Sequence, residues 1–149
     1  MSIRAIPLLV FAFILYNVIV LAFGGVGADA ASTVTNAGAD AALAKKIFSV
    51  NLLSKGEWTF TWGDFILLVT LILLFVEIVK STFTSTSTLI DHALSMVVFM
   101  AVGAEFLMVK QAATSVFFLI LIASLIDVIG GYTIGIRVAR RDLSIGADQ

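Results

Sequence analysis

Apolar residues run along this chain in long blocks, with the polar residues gathered between them. A bilayer core about 30 Å thick takes roughly 20 apolar residues per helix. Four blocks meet that length: IPLLVFAFILYNVIVLAF (6–23), DFILLVTLILLFVEIVK (64–80), LIDHALSMVVFMAVGAEFLMV (89–109) and ATSVFFLILIASLIDVIGGYTIGI (113–136). With their flanks they predict transmembrane helices over about 5–23, 64–82, 88–109 and 113–137. The fold expected is an all-α integral membrane protein of four spans.

The segments between the blocks differ in character. Residues 24–62 form the long connection, beginning with the small, polar GGVGADAASTVTNAGADA, a composition suited to a flexible linker. In ALAKKIFSVNLLSK, helical spacing puts Leu43, Ile47 and Val50 on one face, which predicts a short interfacial helix. EWTFTW then alternates aromatic and threonine residues, fitting a strand or an aromatic belt at the headgroups. Asp64 is placed to cap the second helix. The hydroxyl-rich STFTSTST and the short KQ connection make helices 2–4 a compact antiparallel bundle, with the first helix tethered more loosely.

Composition supports lipid as the solvent. The 149 residues are 60% hydrophobic and 13% charged, against about a quarter charged in soluble domains. Mean hydropathy is +1.12. The net charge of −1 offers no basic footprint for nucleic acid. The chain has no cysteine, so disulfides and thiolate sites are excluded, and its one histidine excludes any site needing two imidazoles. No cofactor or metal is expected. Arg4 before the first block and the sequence Ala28-Asp29-Ala30 resemble a cleavable signal. The apolar run exceeds the usual 7–15 residues of a signal core, so the first block is expected to stay as an anchor.

Lysine and arginine near span ends set orientation. Arg4, Lys80, Arg137, Arg140 and Arg141 fall on one side, and Lys45, Lys46, Lys55 and Lys110 on the other. The tight arginine cluster after the fourth span predicts both termini, with the tail 138–149, on the cytoplasmic face of a bacterial inner membrane.

Charges inside the spans are the candidate chemistry, since an ionised side chain in hydrocarbon costs about 2.5–3.5 kcal/mol on insertion scales. Glu77 and Asp127 each lie roughly 20 Å from the outer face at 1.5 Å per residue, and so share a level with Lys80, Asp91 and His92. Each also has a structural reading. Lys80 follows Glu77 at i+3 and can neutralise it. Asp91 follows Thr88 like a capping box, and His92 suits an interfacial polar position. Glu105 and Lys110 read as an outer anchoring pair. Asp127 stands on a face of small residues with Ala123, Gly131 and Gly135, and a GxxxG notch lets another helix approach closely. Its expected partners are Lys80, a hydroxyl such as Thr70 or Ser95, or another chain. Gly130-Gly131 is expected to loosen the helix beneath it.

No phosphate-binding loop, HExxH, GxSxG or GxGxxG motif occurs, and an enzyme is not expected. Two functions remain. One is a non-enzymatic accessory or scaffold subunit that docks other membrane helices, or copies of itself, through the notch, with segment 41–62 touching a partner or the bilayer. The other is a small channel or proton-coupled transporter using Glu77, Asp127 and His92.

Overall fold

The computed structural model describes residues 6–23, 37–82 and 88–146, with the side chains of 37, 88–91 and 138–146 excepted. The described residues are mostly helical (78%), with five α-helices, of which two are long and apolar. In chain order these are α1 (Leu9–Phe23), α2 (Ala37–Ala44), β1 (Lys46–Asn51), β2 (Glu57–Thr61), α3 (Trp62–Ser81), α4 (Thr88–Met108), a 3-10 turn (Lys110–Ala112) and α5 (Ser115–Gly146). α3 and α4 both pack on α5, and α1 lies against α3.

The start of α3 follows from its first residues. Thr61 is the N-cap, and its hydroxyl accepts from the Asp64 N–H at 3.3 Å while the Asp64 carboxylate accepts from the Thr61 N–H at 2.9 Å. Two otherwise orphaned amides are thereby satisfied. Asp64 acts at this cap, as the reciprocal partner and not as the N-cap itself. Along α3 the buried positions Gly63, Ile66, Thr70, Leu74, Glu77 and Ser81 recur at helical spacing. Leu68, Leu71, Ile72, Phe75, Val76 and Val79 face outward.

The segment read as an interfacial helix is instead a short helix followed by a hairpin. α2 ends at Ala44, with Ala39, Ala42 and Leu43 buried. Ile47 and Val50 lie in β1, which pairs antiparallel with β2. The complementary run EWTFT supplies backbone partners and a cross-strand stack of Phe48 on Phe60, 4.9 Å between ring centres. A helix over the same residues would satisfy its own backbone but would lack that stack. The alternating EWTFTW reading is correct for Glu57–Thr61, which forms β2, and the chain has a sheet as well as helices.

α1 is built into the bundle more firmly than the long connection suggested. Leu9, Ala12, Tyr16, Ile19 and Val20 are buried. The Tyr16 hydroxyl donates to the Gln111 carbonyl at 2.7 Å and stands 2.7 Å from Thr114 Oγ1, and its ring meets Phe117 edge-on at 4.7 Å. A long linker weakens a contact only slowly, because closure entropy grows with the logarithm of its length. Tyr16→Phe is expected to lower stability by about 1 kcal/mol, read as an earlier midpoint in a detergent unfolding titration. An unchanged midpoint would mean the hydroxyl bonds contribute nothing.

α5 runs without interruption through Gly130-Gly131 to Gly146, so the expected loosening does not occur and the helix continues past 137. The stretch 24–36, the centre of STFTSTST and the residues around Arg4 lie outside the described residues.

Candidate functional site

The bundle interior changes character from one end to the other. Near the hairpin, Tyr16, Ile19, Val20, Ile66, Val102, Phe117 and Ile120 form an apolar core. Toward the other end a smaller cluster holds Leu9, Ala12, Leu74 and Ala123. Beyond it the buried side chains are mostly polar, Glu77, Ser81, His92, Ser95 and Asp127, with Val128 among them. Glu77 and Asp127 each lie one helical turn past Leu74 and Ala123, so they occupy one layer, as their positions in the sequence implied.

Glu77 is 4% exposed and fully engaged. One carboxylate oxygen accepts from the Leu8 N–H at 2.8 Å, just before α1 begins, and the other accepts from Lys80 Nζ at 3.1 Å. Lys80 also donates to the Ile6 carbonyl at 3.2 Å. A carboxylate from α3 therefore caps the positive N-terminal end of α1. Lys80 sits in the last turn of α3, where a cation complements the helix dipole.

His92 occupies the GxxxG notch. A Cβ built on Gly131 would overlap the imidazole at Nδ1 and lie 2.5 Å from Cε1, and one on Gly135 would lie 3.7 Å from Nε2. The ring thus lies along the groove over both glycines, with Tyr132 5.7 Å away. A side chain of α4 fills the space that the sequence assigned to a docking helix. His92 is 7% exposed, and among the described residues its Nε2 is buried with no hydrogen-bond partner. That nitrogen faces Gly135, one turn past Gly131 on the side away from Asp127.

Asp127 is 4% exposed and not without a partner. Ala123 and Gly131 are buried with it, so its small-residue face is turned into the protein. Ser95 is buried one turn after His92, and Ser124 one turn before Asp127. The hydroxyls of Thr70, Ser81 and Ser124 donate to carbonyls of their own helices, Ile66, Ile78 and Leu121, at 2.7–2.8 Å. Such back-bonding satisfies a buried hydroxyl without a second helix.

Glu105 is half-buried and Lys110 is exposed in the 3-10 turn; among the described residues no ion pair joins them. Lys110 is out of the helix that carries Glu105, which ends at Met108, so the helical pairing distance does not apply. The Asp91 side chain lies outside the described residues, and with it the expected capping box to Thr88. Among the described residues no group of three or more His, Asp or Glu is arranged to hold a metal. The sequence reading passed over Tyr16 and Ser124. A lone phenol inside an apolar block was the available signal for Tyr16, since a buried Tyr O–H usually finds an acceptor.

No family model matches the chain, and neither a curated protein nor a solved structure matches it.

Proposed function

We propose that the chain is a four-span integral membrane protein that acts as a non-enzymatic assembly subunit, both termini cytoplasmic, in a bacterial inner membrane. The observation that carries the membrane reading is how little of its apolar helix surface is hidden. Only 28% of the apolar stretch of α3 and 39% of that of α5 is buried within the protein. A core helix of a soluble domain would be mostly buried, so outward residues such as Phe75, Leu71, Ile129 and Ile136 need another apolar medium. At 1.5 Å per residue these helices are long enough for a core of about 30 Å. α1 and the apolar stretch His92–Met108 of α4 complete the set.

The assembly reading rests on how the polar groups are used. Glu77 and Tyr16 join one segment to another, and Thr70, Ser81 and Ser124 are satisfied within their own helices. The notch is filled from within, so the surface left for partners is the outward flank of α1, α3, α4 and α5. That differs from docking through Gly131 and Gly135.

One observation favours the transport reading: the buried, unpartnered Nε2 of His92 in the polar layer. An imidazole offers both a hydrogen-bond donor and an acceptor, the two groups a proton relay needs. One pair of measurements separates the two readings. Photo-crosslinkers at Phe11, Phe75, Met100 and Ile129 are placed in the native membrane, and proton flux is measured in proteoliposomes. The assembly reading expects protein adducts of discrete mass from one flank and no flux. Flux abolished by His92→Ala in a protein that remains folded, with lipid adducts only, would overturn it.

A further inference from the structure

We propose that the β1–β2 hairpin is a membrane-surface foot, its aromatic face seated in the headgroup boundary of a bilayer containing anionic lipid at the end where α3 begins. The inference rests on the reading of α3 as a membrane span and deepens it.

The first observation is rigid attachment. β2 passes into α3 with no linker, and the Trp62 N–H donates to the Lys45 carbonyl at 3.1 Å, adding a further bond beyond the ladder. With the Thr61–Asp64 cap in place, the hairpin cannot leave the point where α3 starts. The second is its face. Phe48 stands opposite Phe60 and Val50 opposite Trp58, and directly opposed residues share a side of the sheet. Ser49 with Thr59 and Asn51 with Glu57 occupy the other side.

That apolar face is unpacked. Phe48 and Val50 are each 45% exposed and Trp58 48%, and Leu53 at the turn is fully exposed. The rings touch one another, Phe48 to Phe60 at 4.9 Å and Trp58 to Phe60 at 5.7 Å, and do not join the hydrophobic core. The aromatic surface continues into the helix ends, where Trp62 lies 5.6 Å from Phe23 and 5.7 Å from Phe65. Aromatic rings of this kind collect where hydrocarbon meets headgroups.

Charge names the lipid. Residues 45–61 carry Lys45, Lys46 and Lys55 against one acid, Glu57, in a chain whose net charge is −1. Lys46 lies 3.4 Å from Glu57, and Lys45 stands 4.4 Å above the Phe23 ring. The Ser49 hydroxyl and then Lys46 hold the Glu57 carboxyl below its ordinary range. Lysines beside an apolar face draw an amphipathic element to anionic headgroups and leave it roughly 5–10 Å deep.

The chain has only two tryptophans, so Trp62→Phe leaves Trp58 as the single reporter. The full-length variant is placed in phosphatidylcholine vesicles with and without phosphatidylglycerol. Trp58 is expected to be quenched by lipids brominated near the headgroup and shielded from aqueous acrylamide, more so with phosphatidylglycerol. Acrylamide quenching without bromine quenching overturns the proposal, as does shielding from both, which would mean that protein covers the face. Equal quenching with and without phosphatidylglycerol overturns the role of the lysines. As a second measurement, Leu53→Cys in this cysteine-free chain carries a spin label, expected to be more accessible to oxygen than to a nickel chelate. The reverse preference counts against the proposal. Phe75→Trp, with Trp58 and Trp62 both changed to Phe, reports on the span itself. Loss of its quenching by deeply brominated lipid points to failure of the membrane reading, and not of the foot alone.

Discussion

Gly131→Ala is expected to destabilise the bundle by about 1–2 kcal/mol, whereas Gly135→Ala and Gly130→Ala leave it unchanged or slightly firmer. In a helix interior the exchange of glycine for alanine normally gains about 1 kcal/mol through backbone entropy. At Gly130 nothing lies within 4 Å of the added methyl, and at Gly135 the nearest atom, His92 Nε2, is at 3.7 Å. Both sites accept the group. At Gly131 the methyl would overlap the His92 ring, and overpacking a filled site costs about 1–3 kcal/mol. The overlap involves a side chain that is 7% exposed, so the ring has little room to swing away. The second arm of the test is His92→Ala, which empties the notch. In that background Gly131→Ala should lose its penalty, because the two changes share one contact. The readout is the midpoint of unfolding in mixed detergent micelles. Equal responses at 131 and 135, or the same penalty with and without the imidazole, would show that His92 does not fill the notch.

Glu77→Ala is expected to cost about 2–4 kcal/mol and to loosen the start of α1 first. The substitution removes an acceptor from two donors at once, the Leu8 N–H and Lys80 Nζ. Breaking a buried ion pair usually costs about 3–5 kcal/mol because the remaining charge is stranded. Lys80 is 24% exposed and can extend toward water, which reduces that figure. The Leu8 amide has no such escape. Glu77→Gln keeps an acceptor for the amide and should retain part of the loss, while Lys80→Met should cost about 1 kcal/mol or less. Hydrogen exchange locates the effect: amides Leu8 to Phe11 should exchange faster in Glu77→Ala, with those at the far end of α1 little changed. If Glu77→Ala and Lys80→Met are equally mild and exchange at Leu8 is unaltered, the carboxylate is not the cap of α1.

Much of the helical organisation was legible in the order of residues. The apolar blocks match α1, α3 and α4 to within a few residues and the first two-thirds of α5, which runs on to Gly146, because each block carries enough apolar length for a helix of its own. The part Asp64 plays in the cap was also readable, since a capping box is a local pattern four residues long. The shared level of Glu77 and Asp127 followed from counting inward from the same end along two helices that run in the same direction. The hairpin was half visible: EWTFTW alternated like a strand, but IFSVN also fitted a helical face, and only its partner resolved the choice. Two-residue and 3.6-residue periods are hard to separate over so short a stretch.

By itself, then, the amino-acid order determined where the long apolar helices run, that Asp64 takes part in the cap of α3, and that Glu77 and Asp127 share a level. Those properties depend on neighbours a few positions apart, within reach of helical periodicity and capping. The tertiary structure alone decided that His92 fills the glycine notch, that Glu77 holds the start of α1 across 69 positions, and that Tyr16 reaches the turn before α5. Each of these joins side chains far apart in the chain, and a small residue or a buried acid carries no mark of the group it will meet. Close packing selects that group from all the surfaces the fold brings together.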